Sequence, residues 1–185
     1  MRDLSMADTK NWTWVLERPC PECGFDAGAL PPDEIGAATR AVSERFGALL
    51  AAGGHLRERP RPEVWSALEY GAHVRDVFAV MATRLRLLVD EDEPVFPNWD
   101  QDATADAERY GEQDPARVRR DLLDNGESLA RAFDAVGDDQ WDRRGLRSDG
   151  SVFTVTSLGR YMVHDPVHHL SDVEQGFALL ELPRS

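Results

Sequence analysis

The sequence lacks the features that would place the chain in a membrane, on nucleic acid or outside the cell. No stretch approaches the roughly 20 apolar residues that a membrane helix needs, and the first residues contain no apolar run typical of a secretion signal. Lys10 is the only lysine, and the net charge of −13 offers no surface suited to phosphates. We therefore expect a cytoplasmic protein that binds neither membranes nor nucleic acid.

The remaining composition is that of one folded domain. Hydrophobic residues make up 42% of the 185 residues and charged residues 30%, which suffices for a substantial core and is not the balance of a disordered chain. Nearly all basic residues are arginine, and Ala, Gly, Asp and Pro are abundant. This composition is typical of proteins encoded by GC-rich bacterial genomes. We expect an N-terminal extension over residues 1–31 and a helical domain over residues 32–185.

Four amphipathic segments predict the helices of a bundle. Apolar residues recur at three- and four-residue steps in each, which gives one buried stripe per helix. The first helix is predicted from Pro32 to Ala52, and the second begins at Ser66, where a capping-box sequence starts. The third is capped by Asp114, and the fourth runs from Thr156 to about Leu180. Helices of this length bury their stripes by packing side by side.

Two long connections set this chain apart from a simple helical hairpin pair. Residues 94–114 are acidic and contain no strong helical pattern, and connections of this length usually carry function or hide a short helix. In the second connection, residues 137–156, the run Ser151–Val155 is predicted to be extended.

The few histidines are concentrated where a metal site would need them. His164 and His168 are four residues apart on the predicted fourth helix, so both imidazoles stand on one face. An ion such as zinc binds imidazole nitrogen at about 2.0–2.1 Å. Because two ligands bind weakly, a third is needed, and His73 on the flank of the second helix is the obvious supplier. Three neutral imidazoles would leave a position for water or substrate.

Other interpretations of the histidines remain open from the residues alone. His73 could be a half-buried structural histidine, and His164 with His168 could be a surface pair. His169 directly follows His168 and is the main rival ligand. His55 lies in an arginine-rich connection, where we expect it to be solvated.

Candidate acid–base groups are abundant near the predicted ligands. They are Asp165, Asp172, Glu69, Tyr70, Tyr161 and Asp76. Asp172 follows His168 by four residues, a position from which a carboxylate can orient an imidazole. We also expect His169 to bond either Asp165 or Asp172.

The segments around these histidines resemble the DinB/YfiT-like superfamily. Residues 65–74 (WSALEYGAHV) are similar to its second-helix signature, and residues 164–172 (HDPVHHLSD) to its fourth-helix signature. The resemblance implies an all-α four-helix bundle of up-down-down-up topology with long connecting loops. It also implies one divalent metal ion on His73, His164 and His168, with zinc as first choice and nickel, iron or manganese as alternatives.

The resemblance further implies what the metal would do. Related proteins include maleylpyruvate isomerases and transferases that use a low-molecular-weight thiol, mycothiol or bacillithiol. We therefore expect a metal-dependent thiol S-transferase or isomerase acting on a small electrophile, with the GC-rich composition favouring mycothiol. The alternative is a non-catalytic metal-binding stress or regulatory protein of the same fold. In either case we expect a homodimer.

The two cysteines form a C-x-x-C motif that is foreign to this family pattern. Cys20 and Cys23 stand in the run RPCPECG and could be a redox pair, half of a zinc site, or a lid that delivers a thiol to the bundle metal. A complete zinc site would need partners from elsewhere, because no second C-x-x-C exists. A C-x-x-C motif often lowers the pKa of a thiol, which would make either cysteine more reactive.

Overall fold

Five α-helices account for most of the computed structural model, which describes residues 12–181. They are α1 (Ile35–Ala52), α2 (Ala67–Asp90), α3 (Gln101–Ala107), α4 (Pro115–Asp134) and α5 (Val155–Leu180). Three short strands are β1 (Val95–Phe96), β2 (Arg144–Arg147) and β3 (Val152–Thr154), and short 3-10 helices span Trp12–Leu16, Ala27–Ala29, Pro32–Glu34 and Tyr110–Glu112. Residues 1–11, which we expect not to form a secretion signal, lie outside the described residues. None of the helices within residues 12–181 is long and apolar enough to cross a membrane.

The four long helices form the predicted bundle. Both α1 and α2 pack against α4 and α5, whereas α1 and α2 contact each other little, so that α1, α4, α2 and α5 follow one another around the core. Large aromatic side chains fill the centre, among them Phe46, Phe78 and Phe133. Burying such a side chain stabilises the fold by about 1.5–3 kcal/mol. The prediction of an all-α four-helix bundle with long connections is confirmed.

Local capping fixes where the long helices begin. The Ser66 side chain accepts from the backbone N–H of Glu69, whose carboxylate accepts from the backbone N–H of Ser66, which confirms the predicted capping box of α2. Thr154 and Ser157 form a second box that starts α5 slightly earlier than predicted. The predicted start of α1 is instead a 3-10 turn, Pro32–Glu34.

Both long connections contain secondary structure that joins them. Between α2 and α4, strand β1 precedes the short helix α3, so the alternative of a hidden helix in this acidic segment is the correct one. Strand β1 pairs in parallel with β2, and β2 pairs antiparallel with β3. The predicted extended run Ser151–Val155 contains β3.

The N-terminal segment packs against α5. Its 3-10 helices Trp12–Leu16 and Ala27–Ala29 both contact α5. Val15 is completely buried there, and Arg160 of α5 donates a hydrogen bond to the carbonyl of Leu30 at 2.8 Å. This packing carries the C-x-x-C motif to the face of α5 that holds two of the histidines.

Candidate metal centres

Two adjacent faces of α5 carry possible metal ligands. Helical residues four apart share a face, so His164 and His168 form one pair, and Asp165 and His169 form a second. Each residue advances the helix by about 100°. The two pairs therefore point in different directions and meet different segments of the chain.

His164 and His168 meet the two cysteines. The Sγ atom of Cys20 lies 3.6 Å from Nδ1 of His168, and the Sγ atom of Cys23 lies 3.8 Å from Nε2 of His164. One ligand atom from each of the four residues lies within 4.8 Å of the others. We name these four residues the cysteine–histidine group.

A tight turn places the two sulfur atoms side by side. The backbone N–H of Cys20 donates to the carbonyl of Phe25 at 2.9 Å, and that of Gly24 donates to the carbonyl of Cys20 at 2.8 Å. Gly24 has φ +76°, a conformation that costs glycine little and other residues more. The C-x-x-C segment is thereby an ordered turn.

His73 of α2 meets the other pair on α5. Its Nε2 lies 3.2 Å from Oδ1 of Asp165, and Nε2 of His169 lies 3.7 Å from the same oxygen. The three ligand atoms lie within 4.8 Å of one another. A tetrahedral zinc ion with ligand distances of about 2.0–2.2 Å separates its nitrogen and oxygen ligands by about 3.4 Å. The spacing of His73, Asp165 and His169, here named the carboxylate–histidine group, therefore fits a metal ion.

The environment of His73 also suits a ligand. The residue is 0% exposed, and its Nδ1 has no hydrogen-bond partner among the described residues. The rings of Trp65 and Trp99 lie 5.4 and 5.5 Å from its imidazole, and Trp99 is stacked on it. Leaving a buried polar atom unpaired costs about 1–3 kcal/mol. The ring nitrogen that faces Asp165 is the other one, Nε2, and this is the atom that could bind a metal ion.

Carboxylates beside the two groups orient the imidazoles. Oδ2 of Asp172 lies 3.0 Å from Nδ1 of His169 and 3.7 Å from Nε2 of His168. Oε2 of Glu22 lies 3.6 Å from the same nitrogen of His168. An acceptor at one ring nitrogen leaves the other free to bind a metal ion. The expected contact of His169 with Asp172 is confirmed, and Asp172 adjoins both groups.

Burial sets the protonation states of the cysteine–histidine group. It lowers the pKa of His164 to about 4, assisted by the charge of His168, and it also lowers the pKa of His168. Both imidazoles are therefore neutral at pH 7, as metal binding requires. Burial raises the pKa of the Cys23 thiol to about 11, and the neighbouring Cys20 adds to this. For Cys23 this shift is opposite to the lowered thiol pKa suggested by the motif.

The carboxylate–histidine group keeps its carboxylate ionised. Burial alone would raise the pKa of Asp165, but the charges of His73 and His169 hold this pKa well below its usual range. Tyr70 packs against His169 with ring centroids 4.8 Å apart, and burial raises the Tyr70 pKa well above its usual value. This phenol therefore remains protonated beside the group.

Most of the chain around these groups matches the model of a known superfamily. A model of the DinB superfamily matches residues 34–173. This chain belongs to the DinB superfamily. The matched range contains His73 and the ligands on α5, whereas Cys20 and Cys23 precede it.

Two solved structures share the DinB fold with this chain. YfiT from Bacillus subtilis, described as a probable metal-dependent hydrolase with an unusual four-helix bundle topology, superposes with a TM-score of 0.73 and 17% identity over 82% of this chain and 89% of YfiT. A mycothiol-dependent maleylpyruvate isomerase superposes with a TM-score of 0.64 and 14% identity over 80% of this chain and 62% of the isomerase. No curated protein sequence matches the chain. At these identities the similarity establishes the fold.

The structure of this DinB-superfamily member brings together two of the three predicted ligands. His164 and His168 share one group, as their spacing predicts, but His73 lies with Asp165 and His169 in the other. His169, the predicted rival ligand, thus lies beside His73, with ring centroids 4.9 Å apart. A single metal ion shared by His73, His164 and His168 stays a prediction.

Sequence reasoning missed Asp165 as a candidate ligand, and it left the position of the cysteines beside the bundle metal as one alternative without naming His164 and His168 as their partners. Asp165 and His169 have the same four-residue spacing as the histidine pair, which is a usable signal. C-x-x-C and H-x-x-x-H together are also the two halves of many Cys2His2 zinc sites. The signal was hidden because Cys23 and His164 are 141 positions apart.

Three other candidate acid–base residues are engaged away from both groups. Glu69 accepts hydrogen bonds from Arg59, and Asp76 accepts one from Tyr110 at 2.6 Å. Tyr161 packs its ring against Phe153 in β3. We assign these residues to the structure of the bundle.

Proposed function

We propose that this protein is a divalent-metal-dependent enzyme whose reactive centre is the carboxylate–histidine group. The observation that carries the proposal is the fully buried His73, whose Nε2 lies 3.2 Å from Oδ1 of Asp165 in a group with metal-ligand spacing that also includes His169. Two histidines and one carboxylate are a ligand set of catalytic zinc and of non-haem iron. Three protein ligands leave a coordination position for a substrate.

The charge of this group favours an anion in that position. One carboxylate offsets only one of the two positive charges of a divalent ion. Trp65 and Trp99 line the His73 side, and attraction between charges is stronger in such apolar surroundings than in water. A thiolate or hydroxide therefore suits the open position better than a neutral ligand does.

A low-molecular-weight thiol of the mycothiol type is the proposed co-substrate. A bound divalent ion lowers the pKa of a thiol, so that the thiolate is available at neutral pH. The thiol proton would pass to solvent, and the thiolate sulfur would form a bond to carbon of a small electrophile. The electrophile would either release its leaving group as an anion, as bromobimane releases bromide, or open a polarised double bond whose other carbon then takes up a proton from solvent. The shared fold with a mycothiol-dependent isomerase supports this choice of thiol.

The chain's own residues position the reactants. Asp172 accepts a hydrogen bond from His169, which fixes its ring with Nε2 towards Asp165. The side chain of Asp165 is 26% exposed, whereas His73 is closed off. Substrates would therefore approach the group from the Asp165 side.

A non-catalytic metal-binding protein, with a stress or regulatory role, is the second candidate. The observation in its favour is the complete burial of His73 behind two tryptophan rings, which narrows the approach to the group. Like the proposed enzyme, a protein of this kind would bind the metal ion, but it would not convert a substrate.

The test combines metal analysis with a thiol-conjugation assay. Zinc-loaded protein would be assayed for transfer of mycothiol to a bromobimane. His73→Ala and His169→Ala should each lose one metal ion per chain and the turnover. His55→Ala is the matched control, because His55 is exposed and bonded to Glu58.

The outcomes separate the competing hypotheses. If His168→Ala abolishes turnover while His169→Ala retains it, the metal lies on His73, His164 and His168, and the proposed ligand set is wrong. If the carboxylate–histidine group binds metal but no thiol among several is turned over, the non-catalytic candidate is correct. Absence of metal from this group would contradict both candidates.

A further inference from the structure

The cysteine–histidine group contains a complete set of zinc ligands. A tetrahedral zinc ion has Zn–S distances of about 2.3 Å and Zn–N distances of about 2.0–2.1 Å, which separates sulfur from nitrogen by about 3.5 Å. Two of the four sulfur–nitrogen distances in the group, Cys20 to His168 and Cys23 to His164, are 3.6 and 3.8 Å. All four ligand atoms also lie within 4.8 Å of one another. The group therefore has the number, kind and spacing of ligands of a Cys2His2 site.

We propose that the cysteine–histidine group binds a second, structural zinc ion that fastens the N-terminal segment to α5. Four protein ligands fill the tetrahedral coordination of zinc and leave no position for a substrate. This distinguishes the site from the carboxylate–histidine group, and the proposal does not depend on the proposed enzyme activity.

The charge and burial of the group agree with a closed site. Two thiolates neutralise the charge of a zinc ion, so the complex can be buried without an uncompensated charge. Cys20 is 1% exposed, His164 and His168 are 4% and 8% exposed, and Cys23 is partly buried.

The partners of the sulfur atoms argue against a simple redox pair. Each sulfur lies beside a different imidazole of α5, whereas thiol–disulfide exchange requires only the two cysteines and an accessible sulfur. The carboxylates of Glu22 and Asp172 near Nε2 of His168 fit a ring whose Nδ1 binds metal.

The position of the group explains why the segment needs a metal ion. Within the described residues 12–34, which precede α1, the chain forms only short 3-10 helices, and such short elements bury little apolar surface of their own. A zinc ion would connect Cys23 to His164 across 141 positions. Closing so long a loop restricts the unfolded chain and so stabilises the folded one.

Cobalt reconstitution of the full chain tests the proposal directly. Cobalt(II) bound to thiolates shows a sulfur-to-cobalt charge-transfer absorption that imidazole and carboxylate ligands do not produce. We expect this absorption in the wild type and in His73→Ala, and a fall by at least about half in Cys23→Ser, which retains Cys20 as the single thiolate of the group. His55→Ala is again the control. If the sulfur-to-cobalt absorption persists in His73→Ala, the cysteine–histidine group binds metal independently of the proposed enzyme centre.

A measurement on the wild type covers the event that a cysteine variant does not fold. In zinc-loaded protein both thiols should be unreactive towards an aromatic disulfide reagent, and they should react once a chelator removes the zinc. Far-ultraviolet circular dichroism would report whether the bundle stays helical. Prompt reaction of both thiols in zinc-loaded protein, or a folded wild type without the sulfur-to-cobalt absorption, would overturn the proposal.

Discussion

The cysteine–histidine group and the carboxylate–histidine group lie on adjacent faces of α5, yet they differ in the number and kind of their ligands. The first has four candidate ligands, two of them sulfur, and its partner segment is the N-terminal turn. The second has three candidate ligands, one of them oxygen, and its partner is α2. The residues that α5 contributes to the two groups are one position apart. The four candidate ligands of the first group could fill the coordination of zinc, whereas the three of the second would leave one position open. The coordination number indicates which of the two can accept a substrate.

The two groups also differ in their relation to the superfamily. The carboxylate–histidine group joins two helices within the region that the DinB model matches, residues 34–173. The cysteine–histidine group joins that region to a segment that precedes it. We infer that the first belongs to the shared bundle and the second to an extension of it, so each should respond to its own mutations.

The largest expected effect concerns local stability of the extension. A ligand present at a thousand times its Kd stabilises the bound state by a factor of about 1000. Removing zinc by chelation should therefore speed hydrogen exchange of the Cys20 and Gly24 amides, which bond within the turn, by up to about 1000-fold. Amides in the middle of α4 are the internal control. Equal exchange of these amides with and without zinc would show that zinc does not stabilise the turn, and the structural role of the cysteine–histidine group would then be wrong.

The next effect separates the groups by mutation. Replacing Asp165 by Asn removes the only charged ligand of the carboxylate–histidine group while retaining the shape of the side chain. Changes to outer partners of metal ligands already cost about 10–100-fold in affinity, so we expect a loss of more than about 100-fold at this group. Competition with a chromogenic chelator would measure it. Glu174→Gln is the control, because Glu174 lies on α5 and pairs with Arg45. A simultaneous loss of sulfur-to-cobalt absorption would contradict independent sites.

Sequence patterns were sufficient for the fold because its determinants are local. The capping box at Ser66 and the apolar stripe that follows it specify α2 without reference to the rest of the chain. The spacing of His164 and His168 likewise places both side chains on one face of α5. These predictions depend on residues a few positions apart, and the structure confirms them.

Long-range placement is what the sequence did not reveal. The helix pattern does not state which face of α5 turns towards α2, and this rotation determines whether His73 meets His168 or His169. Similarly, a position of the C-x-x-C segment beside the bundle metal was only one of several alternatives, because no pattern near Cys20 selects α5 as its partner. Both outcomes depend on tertiary packing, the second on contacts of the Trp12–Leu16 and Ala27–Ala29 segments.

A smaller effect is expected where the two groups are linked. Asp172 lies near His168 and His169, so Asp172→Asn should weaken metal binding at both groups, by about 10–100-fold at the more strongly affected one. The hydrogen bond at 3.0 Å is to His169, which makes the carboxylate–histidine group the more sensitive. Titrating each group in the background of a mutation in the other would measure both affinities. A loss confined to the cysteine–histidine group would contradict the assigned role of Asp172.

The smallest effect concerns the stacking of Trp99 on His73. Their rings are 5.5 Å apart and nearly parallel, and a pair of this kind contributes about 0.5–1.5 kcal/mol. Trp99→Leu should therefore weaken metal binding by about 2- to 12-fold at the carboxylate–histidine group and leave the cysteine–histidine group unchanged. Trp141→Leu is a matched control, since Trp141 is half-buried against another part of the core. If Trp99→Leu leaves the affinity unaltered but raises thiol turnover, the ring restricts access to the group instead of orienting its ligand, and the approach of substrates must then be assigned to the Trp99 side of His73 rather than to Asp165.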